Sequence, residues 1–556
     1  MFNKKRMVDL DNTLAVDFGT TNSSAYIWKN EKPEPLSNPD KQGKNLFPSF
    51  VEYTAKGVVV GQPAKTNFGR KKRFVVGAVK RIIGQTYEEY GEMKDKTIFG
   101  CEVVRGDDGY PRFVVSNDGN TVSPVDVASE LFKVIKKRAD EFGGKSYTQA
   151  YVTVPANFKD HQCRLIRKAA EMAGLRVLKL ITEPTAAAMS WCFDNADKLI
   201  NGEHLIVYDF GGGTFDVSHV QYTGNGKFVI IDTAGDPSLG GNDIDTAIIG
   251  YVLKKFMISG GDEEVVSRII SNKSFRNKLR SDCESVKIIN TNAAAFDDDE
   301  TTYYTTNSRV IQPVDFTSYN NKIYDVNVGV KDLNESIKPL IDKSIDITMK
   351  LLEKNHLMRG NIKHFFLVGG SSHLHLIKQR IRRQFPGADF PVYNPDEAVA
   401  MGALKMLEHD NEKGDDEEGD VQERIVTSYG LQSGNDDVVL LLEKGMTIPA
   451  LSQTFTFRNA VGYEKEFFMT IYQWTGEPEE LPLYGQEMRY HKVKVSESTR
   501  IETCKFANPY PQEVGKQRLK LNFDLKVGGT LEVTCIDEHT NEVLNSTVFE
   551  AVYGGH

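Results

Sequence analysis

Cysteine is scarce in this chain: six occur in 556 residues, at positions 101, 163, 192, 283, 504 and 535, with no Cys-x-x-Cys pair. That spacing offers neither a zinc site nor a disulfide framework, and it points to a reducing, cytoplasmic compartment. Tryptophan is scarcer still, and Trp28, Trp191 and Trp474 are most simply packing residues. There is no apolar run of roughly 18 residues, so no helix that spans a bilayer is expected. The first residues, MFNKKRMVDLDNT, are basic but lack the apolar stretch of a secretion signal. A strong excess of positive charge is also missing. The net charge of −9 argues against a general binder of nucleic acid or anionic membrane, and Lys71-Lys72-Arg73 reads as a solvated loop. FGGKSY at 142–147 is not a P-loop, because Ala139 stands where the first glycine is needed and a helix precedes it. His373-Leu374-His375 has no cysteine or acid spaced as a metal-ligand set.

What is present supports a large folded protein. Hydrophobic residues make up 40% and charged residues 26%, and the length fits about three or four structural units. Before residue 410, β-rich runs alternate with helical patterns. Val125–Phe142 has helical spacing, with Ser123-Pro124 as a start and Gly143 as a stop. A second helix is expected over Asp160–Gly174, and a third from Asn394-Pro395-Asp396-Glu397 to Leu407. This mixture indicates α/β. Residues 408–425 are acidic and almost without apolar residues, which reads as a linker. Beyond it, short alternating runs such as EFFMTIYQW, RLKLNFDL and TLEVTCID indicate an all-β domain over 426–556, with no helical pattern after it.

The most informative feature is an internal echo. Residues 14–28 read LAVDFGTTNSSAYIW, and 205–220 read LIVYDFGGGTFDVSHV. Each has an apolar strand, Asp-Phe-Gly, small and hydroxyl residues, then another apolar strand. FFLVGGSSH at 365–373 is read as a third such strand–turn–strand. Glycine turns let backbone N–H groups approach phosphate oxygens closely, and Thr20, Thr21 and Thr214 can add hydroxyl donors. Asp17 and Asp209 end their strands at the turns. Two acids facing a polyphosphate would repel it unless Mg²⁺ lies between them. A single turn of this kind is ordinary hairpin chemistry, whereas two matched copies suggest a duplicated domain closing on a nucleotide from both sides.

At these residues the sequence resembles the seventy-kilodalton heat-shock protein (DnaK-type) chaperone family. The motifs that carry the resemblance are VDFGTTNSS, VKRIIG, YVTVPANF, ITEPTAAAMSW, VYDFGGGTFDVS, DTAGDPSLGGNDID, FLVGGSS and NPDEAVAMGA. It covers residues 12–407 well and 425–552 more weakly. The resemblance implies an actin-like ATPase domain over 1–407, the linker, and a β-sandwich that binds extended peptides or protein partners, co-chaperones among them. It implies ATP/ADP and Mg²⁺ as cofactors. Asp17 and Asp209 would hold the Mg²⁺ shell through water. Gly19, Thr20, Thr21 and Asn22 would cradle the phosphates from one side, and Gly211, Gly212, Gly213 and Thr214 from the other. Lys80 would be the catalytic lysine, Glu183 the active-site glutamate, and Asp216 a carboxylate positioning the water. Gly240, Gly241, Glu284, Lys287, Gly369, Gly370, Ser371 and Asp396 fall on nucleoside-contact positions.

The chain also departs from the family. Ile288 and His373 stand where the family sandwiches adenine between two arginines. Of the family's relay pair, Pro155 is present, but Cys163 replaces the arginine, with Arg164 one residue on. The family's linker is an acidic residue followed by leucines, and here Asp420 is followed by Val421-Gln422-Glu423-Arg424-Ile425. Gly434, with Asp436-Asp437 beside it, and Arg458 fall on the arch over the bound peptide, and no helical lid is expected. The shortened form resembles the homologues of filamentous plant viruses of the closterovirus group, which take part in virion assembly and movement. Three readings follow. The leading one is slow Mg-ATP hydrolysis gating protein contacts; the others are a nucleotide-binding assembly protein, and a chaperone-associated partner that binds ATP without hydrolysing it. A sugar kinase of the same superfamily would need a base facing a sugar pocket and would not carry the sandwich.

Overall fold

The computed structural model of the chain describes residues 9–550, apart from breaks at 39–44, 295–310, 317–324, 414–420, 477–482 and 485–489 and shorter gaps of one to three residues. The echo read from the sequence is an echo of topology. In the first half, β1 (Thr13–Asp17), β2 (Asn22–Lys29) and β3 (Lys32–Pro35) form an antiparallel meander. Helix α1 (Pro124–Gly143) then leads to β4 (Gln149–Val154), which lies parallel to β1, and α2 (Asp160–Met172) leads to β5 (Arg176–Thr182), parallel to β4. Helix α3 (Glu183–Cys192) follows. In the second half, β6 (His204–Phe210), β7 (Phe215–Gly224) and β8 (Lys227–Asp236) repeat the meander. After α4 (Gly241–Ile258), α5 (Lys273–Ala294) and α6 (Val330–Lys354), β9 (Ile362–Val368) returns parallel to β6. The last two helices of this half are α7 (His375–Gln384) and α8 (Ala398–Lys413).

Both sheets are buried on both faces, so their central strands are near-continuous apolar runs rather than alternating ones. In β6 only His204 is not fully buried. One core lies under the first sheet and is capped by α1, and a second fills the other half. The start of α1 is as expected from sequence: Ser123 accepts from Asp126 N at 3.1 Å, and Asp126 accepts from Ser123 N at 2.8 Å. Its stop lies one residue later than expected. Gly143 is the last helical residue, and Gly144 takes the left-handed cap conformation at φ 68°.

Three further expectations need correction. The FFLVGGSSH turn is strand to helix, not strand to strand. Gly369 breaks the strand at φ +80°, and Gly370–His373 forms a 3-10 turn into α7. The helix expected from Asn394 begins only at Ala398, because Asn394 folds back into a turn, with Asn394 Nδ2 donating to Glu397 Oε1 at 2.7 Å. It also runs past Leu407 to Lys413, because the acidic segment contains no helix breaker before Gly414. Of the remaining linker, 414–420 lies outside the described residues, and Val421–Gln422 pairs parallel with Phe228–Val229 at the edge of β8.

A third core joins the two halves. In it, α3 and α8 cross between the sheets on small residues, with Gly402 of α8 set against Ala186 and Ser190 of α3. At Gly402 the approach is so close that an added Cβ would overlap the carbonyl oxygen of Ala186. Among its described residues the C-terminal region holds β-strands and one 3-10 turn, Val495–Glu497, in keeping with the expected β domain. One sheet holds Ser428–Ser433, Asp437–Leu442, Glu466–Trp474, Tyr490–Lys494 and Thr499–Ala507, and the other Arg518–Lys526, Thr530–Asp537 and Val543–Glu550. Alternate residues Leu519, Leu521, Phe523 and Leu525 point into the core between the sheets. Gly434 lies outside the described residues, whereas Asp436 and Asp437 pair with Lys494 at 3.3 and 2.7 Å. Replacing Gly402 with valine is expected to force the α3–α8 crossing apart and to lower unfolding free energy by at least about 2 kcal/mol. Urea unfolding of Gly402→Val beside wild type checks this.

Candidate functional site

The two Asp-Phe-Gly hairpins face each other across a cleft. In the first, β1 delivers Asp17 to the turn at Gly19–Thr21; in the second, β6 delivers Asp209 to the turn at Gly211–Thr214. The turns approach so closely that a Cβ on Gly213 would stand 2.8 Å from Thr20 Cγ2, and one on Gly212 would overlap Thr21. Glycine is what the second turn requires, because any side chain would wedge the halves apart. Arg81 spans the gap from the first half, donating to Gly213 O and, at 2.9 Å, to Asp243 Oδ2 at the start of α4.

A cavity of about 440 Å³ opens between the hairpins. It is lined by Asp17, Gly19, Thr20, Thr21, Asn22, Lys80, Glu183, Asp209, Gly211, Gly212, Thr214, Gly241, Glu284, Lys287, Gly369, Gly370, Ser371 and Asp396. These residues come from distant parts of the sequence, and the fold brings them together. Gly213, Gly240 and Asp216 do not line the cavity. Gly213 and Gly240 pack backbone to backbone behind the wall. Asp216 is buried on β7 beside Asp209 in the hairpin register. Sequence reasoning missed Lys65, Asn242, Asp245 and Thr291 on the wall, and Thr153, whose hydroxyl donates to Asp17 Oδ1 at 3.0 Å. Thr153 stands inside the YVTVPANF motif, and the parallel register of β4 with β1 places it opposite Asp17.

The electrostatics are lopsided. Asp17, Glu183, Asp209 and Asp216 crowd one buried region, and Lys80 is the cation among them, ion-paired with Glu183. Burial alone would lower the Lys80 pKa, but the charges of Glu183 and Asp17 more than offset it and hold the ammonium charged. Burial, then the charge of Glu183, pushes Asp17 up to about 7. Asp216 is likewise pushed up to about 7, by burial first and Glu183 second, although the Thr214 hydroxyl bonded to it works the other way. Asp209 is raised well above the usual carboxylate range by burial and by its three acidic neighbours. An excess of buried carboxylate over cation is an arrangement that a divalent ion would relieve. Among the described residues no three His, Cys, Asp or Glu side chains stand close enough to ligate an ion outright.

The far end of the cavity is built on α5, whose residues Glu284, Lys287, Ile288 and Thr291 fall at helical spacing on one face. His373, Leu374 and Asp396 complete it. Cys163 lies in the first core, fully buried.

A duplicated α/β domain with an acidic, glycine-lined cleft, followed by a β-sandwich, is thus the class of molecule that the fold and the cavity define. The family model described as "Hsp70 protein" matches residues 13–551, and the chain belongs to the Hsp70 family. It is similar to Chaperone protein DnaK of Buchnera aphidicola subsp. Schizaphis graminum, with 28% identity over 546 residues, which is 96% of this chain and 78% of that protein. Members of this family are ATPases that bind nucleotide with Mg²⁺ and hold substrate polypeptides, through an actin-like domain and a β-sandwich.

The raised Asp216 pKa has a signed consequence. The folded state holds this proton up to about pH 7, and the unfolded chain releases it near 3.8. Ionisation of Asp216 therefore costs folding stability as pH rises through that window. Relative to wild type, Asp216→Asn is expected to gain stability steadily between about pH 4 and pH 7 and to level off above, in buffer free of divalent ions. Chemical unfolding of both proteins across that range measures the difference.

Proposed function

We propose that this chain binds Mg-ATP between its two hairpins, hydrolyses it slowly, and uses the nucleotide state to regulate protein contacts made through the β-sandwich. The observation that carries the reading is the convergence of both Asp-Phe-Gly turns, Lys80 and Glu183 on one cavity. In this reading the N–H groups of Gly19–Asn22 and Gly211–Thr214 cradle the phosphates from opposite sides. Mg²⁺, when bound, neutralises the polyphosphate and lets it sit among acids; Asp17 and Asp209 would hold it through its water shell. That mode suits an ion that keeps several waters and takes few protein ligands. The donor set fits, because buried carboxylates in excess of cation are what such an ion would compensate.

Lys80 acts on the transferred phosphoryl group. Its ammonium is held by Glu183 in a buried position, where a positive charge is worth more than in water. Glu183, on the cavity wall, would orient the attacking water, and Asp216, behind the wall, would act only through the Thr214 hydroxyl bonded to it. Thr214 bridges the two functions, lying on the cavity wall and bonded to Asp216. Positioning and electrostatics, not covalent chemistry, supply the acceleration. The sandwich is the part that would meet extended polypeptide segments or a dedicated partner; family membership and the DnaK likeness support that role.

Single-turnover hydrolysis tests the reading. Wild type should convert Mg-ATP to ADP and phosphate, and Lys80→Ala should do so at least about tenfold more slowly, some 1.4 kcal/mol of barrier. Removal of Mg²⁺ by chelation should abolish turnover in both. ATP binding without turnover in either protein would leave a nucleotide-stabilised scaffold and sink the hydrolysis claim.

A further inference from the structure

The turn that presents Lys80 is held from behind by two side chains that the nucleotide reading does not use. Lys80 is the middle residue of a single 3-10 turn, Val79–Arg81. Ala78 enters it at φ 53°, and Gly84 ends the loop at φ 76°, so left-handed residues bracket it on both sides. A 3-10 turn has poorer hydrogen-bond geometry than an α-helix, and a lysine reaches out on a flexible stem. Where the ammonium sits therefore depends on what grips the turn.

In front, Lys80 is ion-paired with Glu183, and Arg81 donates across the cleft to Gly213 O and Asp243 Oδ2. Behind, the first turn of α2 takes hold of the two carbonyls that end the loop. Gln162 Nε2 donates to Ile83 O at 3.0 Å, and His161 Nε2 donates to Gly84 O at 2.6 Å. A carbonyl can only accept, which assigns a proton of His161 to Nε2. Gly84 is what lets the pair approach: a Cβ there would stand 2.8 Å from Gln162 Cγ and 2.9 Å from His161 Cδ2. The segment that leads into α2 also reaches the ammonium, since Lys80 Nζ lies 5.9 Å from the ring centroid of buried Phe158. Helix α2 is itself seated in the first core through Cys163, Ile166, Ala169 and Ala170, all buried. Neither His161 nor Gln162 lines the cavity, so any effect they have on the reaction passes through the turn.

We infer that His161 and Gln162 are positioning residues for Lys80: their two hydrogen bonds fix where the turn sits, and so place the ammonium against the transferred phosphoryl group. They act on turnover and not on nucleotide affinity, because the phosphate turns at Gly19–Asn22 and Gly211–Thr214 belong to other elements. This rests on the role given to Lys80 above and goes further by naming what aims it.

Single-turnover hydrolysis and calorimetric binding of Mg-ATP, both with the full chain, test it. A displacement of roughly 1 Å at a reacting group can cost on the order of 100-fold in rate, and loss of one of the two bonds is expected to cost about tenfold. His161→Ala and Gln162→Glu should each show that loss, with the Mg-ATP dissociation constant within about threefold of wild type. Gln162→Glu keeps the shape of the side chain but sets a carboxylate oxygen against Ile83 O. His161→Gln carries a donor where Nε2 stands and should restore the rate to within about threefold of wild type. In a Lys80→Ala background, His161→Ala should slow turnover no further, because a group that acts through the lysine has nothing left to aim. Rates within about twofold of wild type in His161→Ala and Gln162→Glu would overturn the inference and leave the proposed ATPase intact. So would an equal loss of Mg-ATP affinity, a His161→Gln variant as slow as His161→Ala, or slowing by His161→Ala that persists without Lys80. Absence of turnover in wild type would overturn both the inference and the hydrolysis reading beneath it.

Discussion

The contact between Gly402 and the backbone of Ala186 sets the geometry on which the rest of the α/β region depends. Two helices cross there between two sheets, on a patch of alanine and glycine that allows backbones to touch. Because α3 starts at Glu183 and α8 follows directly on Asp396 and Glu397, the crossing holds both ends of the cavity at once. It also sets how closely the β1 and β6 sheets lie, and so how nearly the two glycine turns meet. Larger residues at the crossing would act on the cleft at a distance, through rigid strands rather than through any group that touches a ligand.

With that distance set, charge becomes the governing term. The halves bring carboxylates of separate origin together at the cleft: Asp17 from β1, Glu183 from the start of α3 and Asp209 from the second hairpin line it, and Asp216 stands buried beside Asp209. Lys80 answers only part of that charge, and the remainder shows as raised pKa values. Such crowding of buried like charges is costly to folding, and a cation bound among them would offset that cost. Arg81 ties Gly213 and Asp243 of the second half to the first.

Much of this was legible without coordinates. The duplicated Asp-Phe-Gly hairpins, the Ser123-Pro124 helix start and the alternating strands of the C-terminal domain each follow from local chemistry, and the structure has them. The reading failed where local signals compete. Gly143 and Gly144 are equal as helix stops on paper, and only the chain's path decides which turns left-handed. FFLVGGSSH repeats the composition of a hairpin turn, but Gly369, whose N–H donates to Pro395 O at 3.2 Å, leads into the 3-10 turn Gly370–His373. The acidic segment after Leu407 looks like linker, yet its residues tolerate a helix until Gly414. Thr153, Arg81 and Asp245 stand inside the YVTVPANF, VKRIIG and DTAGDPSLGGNDID motifs, but their roles became visible only as neighbours of Asp17, Gly213 and Lys287.

The sequence by itself determined the family, the α/β-then-β order of the chain and which residue types could cradle phosphate, because glycine turns, carboxylates and apolar periodicity are properties of short segments. Only the tertiary structure decided that eighteen of those residues share one cavity while Gly213, Gly240 and Asp216 stand behind its wall. It also decided that Lys80 is held by Glu183, and that Lys287 pairs with Asp245 and Lys65 with Glu284 at the far end of the cavity. Pairing, burial and pKa are set by distances between segments far apart along the chain, and no short stretch of sequence contains them.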